Sequence, residues 1–147
     1  MSEALTITLT QQADYQFLVD FGGDLAPLLT DEPPPLGGGT GPKPDHLLQA
    51  AVGNCLLASL LFALRKFKQE PGTLSAQITS TVDRNEAKRL RVLGIQVDIR
   101  FTAAATGLEH LDRVLAQFED FCTVSQSVQQ GIPVSVSVTD GTGRRLK

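Results

Sequence analysis

An α+β fold is the class this sequence predicts, and three observations predict it. Segments of alternating hydrophobicity stand near the N-terminus and again in the middle of the chain. One long uncharged run, Leu47–Leu64, separates them, and stretches with helical spacing follow. The order that results is β-β-loop-α-β-β-α-α-β, with strands grouped and not alternating as βαβ units. With 147 residues, 41% hydrophobic and 20% charged, the chain suits one globular domain spanning residues 1–147. Its net charge of −3 and the lack of a basic run argue against a nucleic-acid partner, since phosphate binding needs clustered Lys and Arg.

The elements are predicted as follows. "ALTITLT" alternates and is rich in Thr and Ile, as a strand requires, and "YQFLVDF" pairs with it across the turn "QQAD". Residues 22–44 form a long Gly/Pro loop, and a loop of that length in a small domain is functional or tied down. A helix begins near Pro44 or Asp45, where proline fits the first turn and an acid suits the positive end of the dipole. It runs to about Phe67. Its apolar run reaches the lower edge of the roughly 17–25 residues that cross a bilayer. Gln49, Gly53, Asn54 and Ser59 interrupt it, however, and a central helix buried on nearly all sides explains the same pattern without a membrane. "LSAQITSTVD" and "RLRVLGIQVDIRFTA" are strands joined by the turn "RNEAK". "LEHLDRVLAQFEDF" is an amphipathic helix, "TVSQSVQQ" a shorter one ending at Gly131, and "IPVSVSVTD" alternates as a last strand.

Few residues could carry chemistry. No phosphate-loop, dinucleotide, nucleophile-elbow or HExxH pattern occurs. His46, Cys55, His110 and Cys122 lack the close-paired spacing of a structural zinc site. "MSEALTITLT" lacks the basic start and apolar stretch of a signal peptide, which makes the cytoplasm the expected compartment. There, two cysteines are expected to be free or redox-active. A lone cysteine in an apolar helix is ordinarily a small buried hydrophobe. Two features point further. Ala51, Val52, Ala58 and Ser59, one turn either side of Cys55, leave room for a group to approach its sulfur. Cys122 directly precedes the short helix "TVSQSV", whose dipole is expected to favour the Cys122 thiolate.

The loop "DEPPPLGGGTGPKPDHLLQAAVGNC" and the later "CTVS" together resemble the OsmC/Ohr superfamily, the osmotically inducible and organic hydroperoxide resistance proteins. The family pattern is a DEP, then GG, then GP-x-P-[ED]-x-L, then a small-residue helix carrying a Cys, and later C-P-V-S. This resemblance implies an intertwined homodimer whose long central helices pack between curved sheets. It implies a peroxidase that reduces organic hydroperoxides, with Cys55 oxidised to a sulfenic acid and Cys122 closing the disulfide. Asp45 stands where catalytic relatives carry a Glu that orients an activating Arg. No bound cofactor is implied. The expected partners are a small organic hydroperoxide and an external dithiol reductant of lipoyl or thioredoxin type. Thr123 replaces the family's Pro.

One departure bears on reactivity. Catalytic relatives draw an Arg from the N-terminal region, and residues 1–42 contain neither Arg nor Lys. Burial alone raises a thiol's pKa. The sequence therefore expects Cys55 to need a cation from Lys43, from an Arg on the strand over residues 89–100, or from a partner subunit. Without one, the expected alternative is a non-catalytic dimer of the same fold that acts as a small-molecule binding or stress protein.

Overall fold

The structure is a computed structural model and describes residues 2–147. It contains five strands and three helices: β1 (Thr8–Gln11), β2 (Phe17–Asp20), β3 (Leu28–Thr30), α1 (Pro44–Lys66), β4 (Leu74–Arg84), β5 (Leu90–Phe101), α2 (Leu111–Gln117) and α3 (Thr123–Gln130). The chain divides into two compact units. One takes in the residues up to Asn54 together with Ser75–Arg100, and the other comprises Cys55–Leu74 and Phe101–Lys147.

In the first unit, β1 and β2 form the expected hairpin, with Leu9 opposite Val19 and Gln11 opposite Phe17. Its turn is closed by Gln12 N–H to the Gln16 carbonyl at 2.9 Å. Residues 4–7 lie before the ladder, which ends at the pair Thr8 and Asp20. The sequence treats residues 22–44 as loop throughout, but Leu28–Thr30 adds a third antiparallel strand, with Leu18 opposite Leu29. The Thr30 hydroxyl donates to the Phe17 carbonyl at 3.1 Å and fixes that edge.

The Gly/Pro loop beyond β3 is tied down by Asp31, whose residue is only 2% exposed. Its Oδ1 accepts from the Glu32 N–H at 2.8 Å, and its Oδ2 accepts from the N–H groups of Gly38 and Thr40 and from the Thr40 hydroxyl. Four donors on one carboxylate satisfy backbone that a loop would otherwise leave unpaired. Gly37 has to be glycine, because a Cβ there would meet Asp31 Oδ1 and the Glu32 carbonyl. The loop delivers the chain to α1, where His46 Nδ1 accepts from the Lys43 N–H at 3.2 Å as a local cap. The first half of α1 meets the β4–β5 hairpin through the Gln49 side chain, which donates to the Ile78 carbonyl at 3.2 Å. The hairpin is joined at its tip by Asn85, whose N–H reaches the Arg89 carbonyl and whose Oδ1 accepts from the Arg89 N–H.

In the second unit, Leu56, Leu60 and Leu64 form the buried stripe of α1 at i, i+4 spacing, with Val114 of α2 and Pro71 also buried. Ser59 donates to the Phe118 carbonyl at 2.7 Å. The single amphipathic helix expected over 108–121 is broken up. His110 takes a left-handed conformation with φ 60°, so α2 starts only at Leu111. Residues Phe118–Phe121 tighten into a 3-10 turn, closed by Cys122 N–H to the Glu119 carbonyl at 3.0 Å. Ser59 occupies the Phe118 carbonyl that a continuing α-helix would have used for the Cys122 N–H.

Two expectations are corrected here. The all-round apolar character of α1 suggests burial on nearly all sides, yet within one chain Phe62 is 69% exposed and the covered residues follow a stripe. By length and composition α1 is long and apolar enough to cross a membrane, but the core helix of a globular protein meets the same description. The polar side chains of Gln49 and Ser59 are bonded to the protein. The final strand expected over "IPVSVSVTD" does not form among the described residues. Pairing is confined to its end, where Thr139 bridges Arg145 and Val138 exchanges backbone hydrogen bonds with Leu146 and Lys147. Ile132, Val134, Val136 and Val138 alternate as a strand should, but all four are exposed, Val134 by 83%. Alternation marks a strand that wants an apolar face to lie on and an edge to pair with. Among the described residues, the chain offers residues 132–137 neither.

Candidate functional site

The site is built by two elements of the second unit. Cys55 lies on α1 beside the Leu56–Leu60–Leu64 stripe and is half-buried. Cys122 sits between the 3-10 turn and α3, in an extended conformation with φ −80° and ψ 99°, and is fully buried. That backbone makes Cys122 the cap residue of α3. Its carbonyl accepts from the Gln126 N–H at 3.0 Å, and its side chain does not cap the helix. The amides that open α3 therefore have no partner inside the helix and remain open to an electron-rich group.

Cys55 is that group. Its sulfur interacts with the Cys122 side chain and with the backbone N–H groups of Val124, Ser125 and Thr123. Both cysteines are free thiols. Burial pushes the Cys55 thiol up. The Cys122 side chain and then the three amides outweigh it, so Cys55 ionises below the ordinary thiol value of 9.0. Cys122 moves the other way. Burial raises it, the neighbouring Cys55 raises it further, and the Ser125 amide offsets only part of this. The Cys55 thiol is thus shifted down and the Cys122 thiol up, each in part by the presence of the other.

This reverses one expectation and replaces another. The sequence assigns the dipole of α3 to Cys122, the residue next to it, but the helix-opening amides act mainly on Cys55, which belongs to another element. The cation expected for Cys55 is not among the strongest influences on its sulfur, which are all uncharged. Within this one chain, the influences that lower the Cys55 thiol are hydrogen-bonding groups. The sequence signal for Thr123, Val124 and Ser125 was legible as the helix start after Cys122, though not the thiol it serves.

Of the three residues singled out from the sequence, the structure brings Cys55 and Cys122 together. Asp45 belongs to the other unit, in the first turn of α1, where its carboxylate lies 3.0 Å from Lys43 Nζ. Leu56, next to Cys55 on α1, is buried, whereas Phe62 is exposed and lines a separate cleft.

The OsmC-like protein family matches residues 37–137, which include both cysteines and the whole of α1 and α3. No curated protein sequence matches the chain. An OsmC-like protein of unknown function from Vibrio cholerae has a similar structure, with a TM-score of 0.69 at 17% identity, covering 88% of this chain and 95% of that one. An OsmC-like protein from Mycoplasma pneumoniae gives 0.69 at 16%, covering 90% and 91%. An organic hydroperoxide resistance protein OsmC from Legionella pneumophila gives 0.66 at 17%, covering 86% and 92%. At these identities the likeness shows the α+β fold around a long central helix. With the family match across most of its length, the chain belongs to the OsmC-like protein family.

Proposed function

We propose that the protein is a thiol-dependent peroxidase that reduces organic hydroperoxides. The observation that carries this reading is that the Cys122 thiol and the opening amides of α3 act on the Cys55 thiol and hold it below its ordinary value. Such a sulfur is a nucleophile with a resolving thiol already beside it. The Cys55 thiolate attacks the terminal oxygen of ROOH, the O–O bond breaks, and the alkoxide takes a proton and leaves as ROH. Cys55 becomes a sulfenic acid. Cys122, as its thiolate, then attacks the Cys55 sulfur. An S–S bond forms, and the hydroxyl departs as water with one further proton. Two electrons from an external dithiol of lipoyl or thioredoxin type return both thiols, with no bound cofactor.

The likeness to an organic hydroperoxide resistance protein supports this substrate class. A homodimer, built from one domain per chain, is part of the same reading, because it would cover the exposed faces of α1 and the exposed valines of residues 132–138. Asp45 keeps, as part of this reading, the role that the family resemblance implies; within its own unit its carboxylate pairs with Lys43 at 3.0 Å.

The test is turnover. Purified protein is expected to consume cumene hydroperoxide in the presence of dihydrolipoamide, and Cys55→Ser to abolish it. Unchanged turnover in that variant overturns the proposal. A wild-type protein that binds the hydroperoxide without consuming it supports instead a non-catalytic binding protein of the same fold.

A further inference from the structure

Ser125 is the buried residue of α3, and it lies three positions after the fully buried Cys122. The cap residue of a helix and the third residue within it face each other, which is the spacing a capping box uses. Burying a hydroxyl costs free energy unless it is hydrogen-bonded. The Ser125 oxygen accepts from Gln129 Nε2, one turn on, at 3.1 Å. Among the described residues it gives no hydrogen bond to a carbonyl, unlike the Ser127 hydroxyl, which donates to the Thr123 carbonyl at 2.7 Å.

Gln129 therefore occupies one side of the Ser125 oxygen and leaves the O–H for another acceptor. A hydroxyl that accepts a hydrogen bond is also the stronger donor. The group it serves is Cys122. Burial and Cys55 raise the Cys122 thiol, and the Ser125 side chain acts against them. Cys55 of α1 is the titratable group among the strongest influences on Cys122. Helix α3 carries no ionisable residue, and Glu119 and Asp120 of the preceding turn are exposed.

We propose that the Ser125 hydroxyl makes Cys122 competent as the resolving thiol by donating to its sulfur as the thiolate forms, and that Gln129 is the positioning residue that aims this hydroxyl. The inference rests on the peroxidase reading. Cys122 gives up its S–H proton, its sulfur bonds to the Cys55 sulfur, the S–O bond of the sulfenic acid breaks, and the hydroxide leaves as water with that proton. Ser125 transfers no proton. A hydrogen bond to an anion is stronger than one to a neutral thiol, so it favours the form that attacks.

The experiment compares Ser125→Ala, Ser125→Thr and Gln129→Ala in full chains whose circular dichroism matches their parent. First, in a Cys55→Ala background, the ultraviolet absorbance of the Cys122 thiolate is titrated against pH, with the chain lacking both cysteines as the blank. Ser125→Ala should raise the midpoint by about one pH unit. Gln129→Ala should raise it less, and Ser125→Thr, which keeps the hydroxyl, should leave it in place. Second, with both cysteines present, quenched-flow mass analysis follows the reaction with cumene hydroperoxide. Below the midpoint Ser125→Ala holds about tenfold less thiolate, partly offset by that thiolate's greater nucleophilicity. Disulfide closure should then slow about threefold, with the sulfenic acid building up ahead of it. An unmoved Cys122 midpoint in Ser125→Ala overturns the inference and leaves the peroxidase reading standing. A wild-type chain that the hydroperoxide does not oxidise overturns both. Should Ser125→Ala not fold, Gln129→Ala decides by the same titration, since its side chain is exposed.

Discussion

Cys55 and Cys122 are neighbours with opposite acid strengths: the half-buried Cys55 thiol is held below its ordinary value and the fully buried Cys122 thiol above it. The difference comes from position relative to α3. Cys122 supplies the backbone on which the helix starts, while Cys55 receives the amides that this start leaves open. The two thiols are thereby set apart mainly by burial and by hydrogen-bonding groups.

That asymmetry predicts the pH dependence of alkylation. One thiol should react with iodoacetamide with a midpoint below the ordinary 9.0, and the second only above it. Cys55→Ser should remove the low midpoint. Cys122→Ala should raise the Cys55 midpoint, because the sulfur loses the S–H that most favours its anion. Peptide mapping of the alkylated residues checks the assignment, and preferential labelling of Cys122 would contradict it.

Asp31 predicts an acid-sensitive loop. Its carboxyl is held below the usual 3.8, chiefly by hydrogen bonds from Thr40. A depressed folded-state value means that the contribution to stability is full above 3.8 and is lost as pH falls through the lower, folded value. Asp31→Ala should lower Tm at neutral pH, and its deficit relative to wild type should shrink in acid. Asp31→Asn should also destabilise, because its amide N–H₂ would face donors. Thermal unfolding followed by circular dichroism at several pH values reads both effects.

Gly53 reports how closely α1 meets β4. A Cβ on Gly53 would lie 2.7 Å from Cδ1 and Cγ1 of Ile78. Alanine gains about 1 kcal/mol of helix propensity, while overpacking costs about 1–3 kcal/mol. Gly53→Ala is therefore expected to destabilise by about 1 kcal/mol in urea titration. Adding Ile78→Ala should recover the loss relative to Ile78→Ala alone, leaving the propensity gain visible. Additive effects would contradict the close approach.

The valines of the C-terminal segment predict assembly. Val134 is 83% exposed in one chain, so Val134→Lys should be harmless to a monomer. If residues 132–138 pair with a second copy, that substitution shifts sedimentation toward monomer at a concentration where the wild type is dimeric. A wild type that sediments as a monomer removes the homodimer from the account.

Much of this was legible in the sequence because local pattern and tertiary outcome agree. The ends of α1, β4, β5 and α3 fall where capping residues, alternation and Gly131 place them. The misses have physical causes. Three residues, Leu28–Thr30, are too few to show alternation, and their place in the sheet is made by Phe17 and Leu18. Helical spacing across 108–121 could not register the left-handed His110, or Ser59 drawing away the Phe118 carbonyl. For α1 and for residues 132–138, composition reports what a surface needs, and one chain does not supply it. At the site, both cysteines and the start of α3 could be read, but which thiol the amides serve depends on a contact between distant segments.

The central claim, that Cys55 and Cys122 form a peroxide-driven redox pair, is tested most directly by intact-mass and peptide analysis after one equivalent of cumene hydroperoxide. The account predicts loss of about 2 Da, for the two hydrogens released on disulfide formation, with a Cys55–Cys122 linked peptide. It also predicts that Cys122→Ser stops at a sulfenic acid on Cys55, a gain of about 16 Da. An unchanged mass for the folded wild type, or oxidation confined to Cys122, would contradict it.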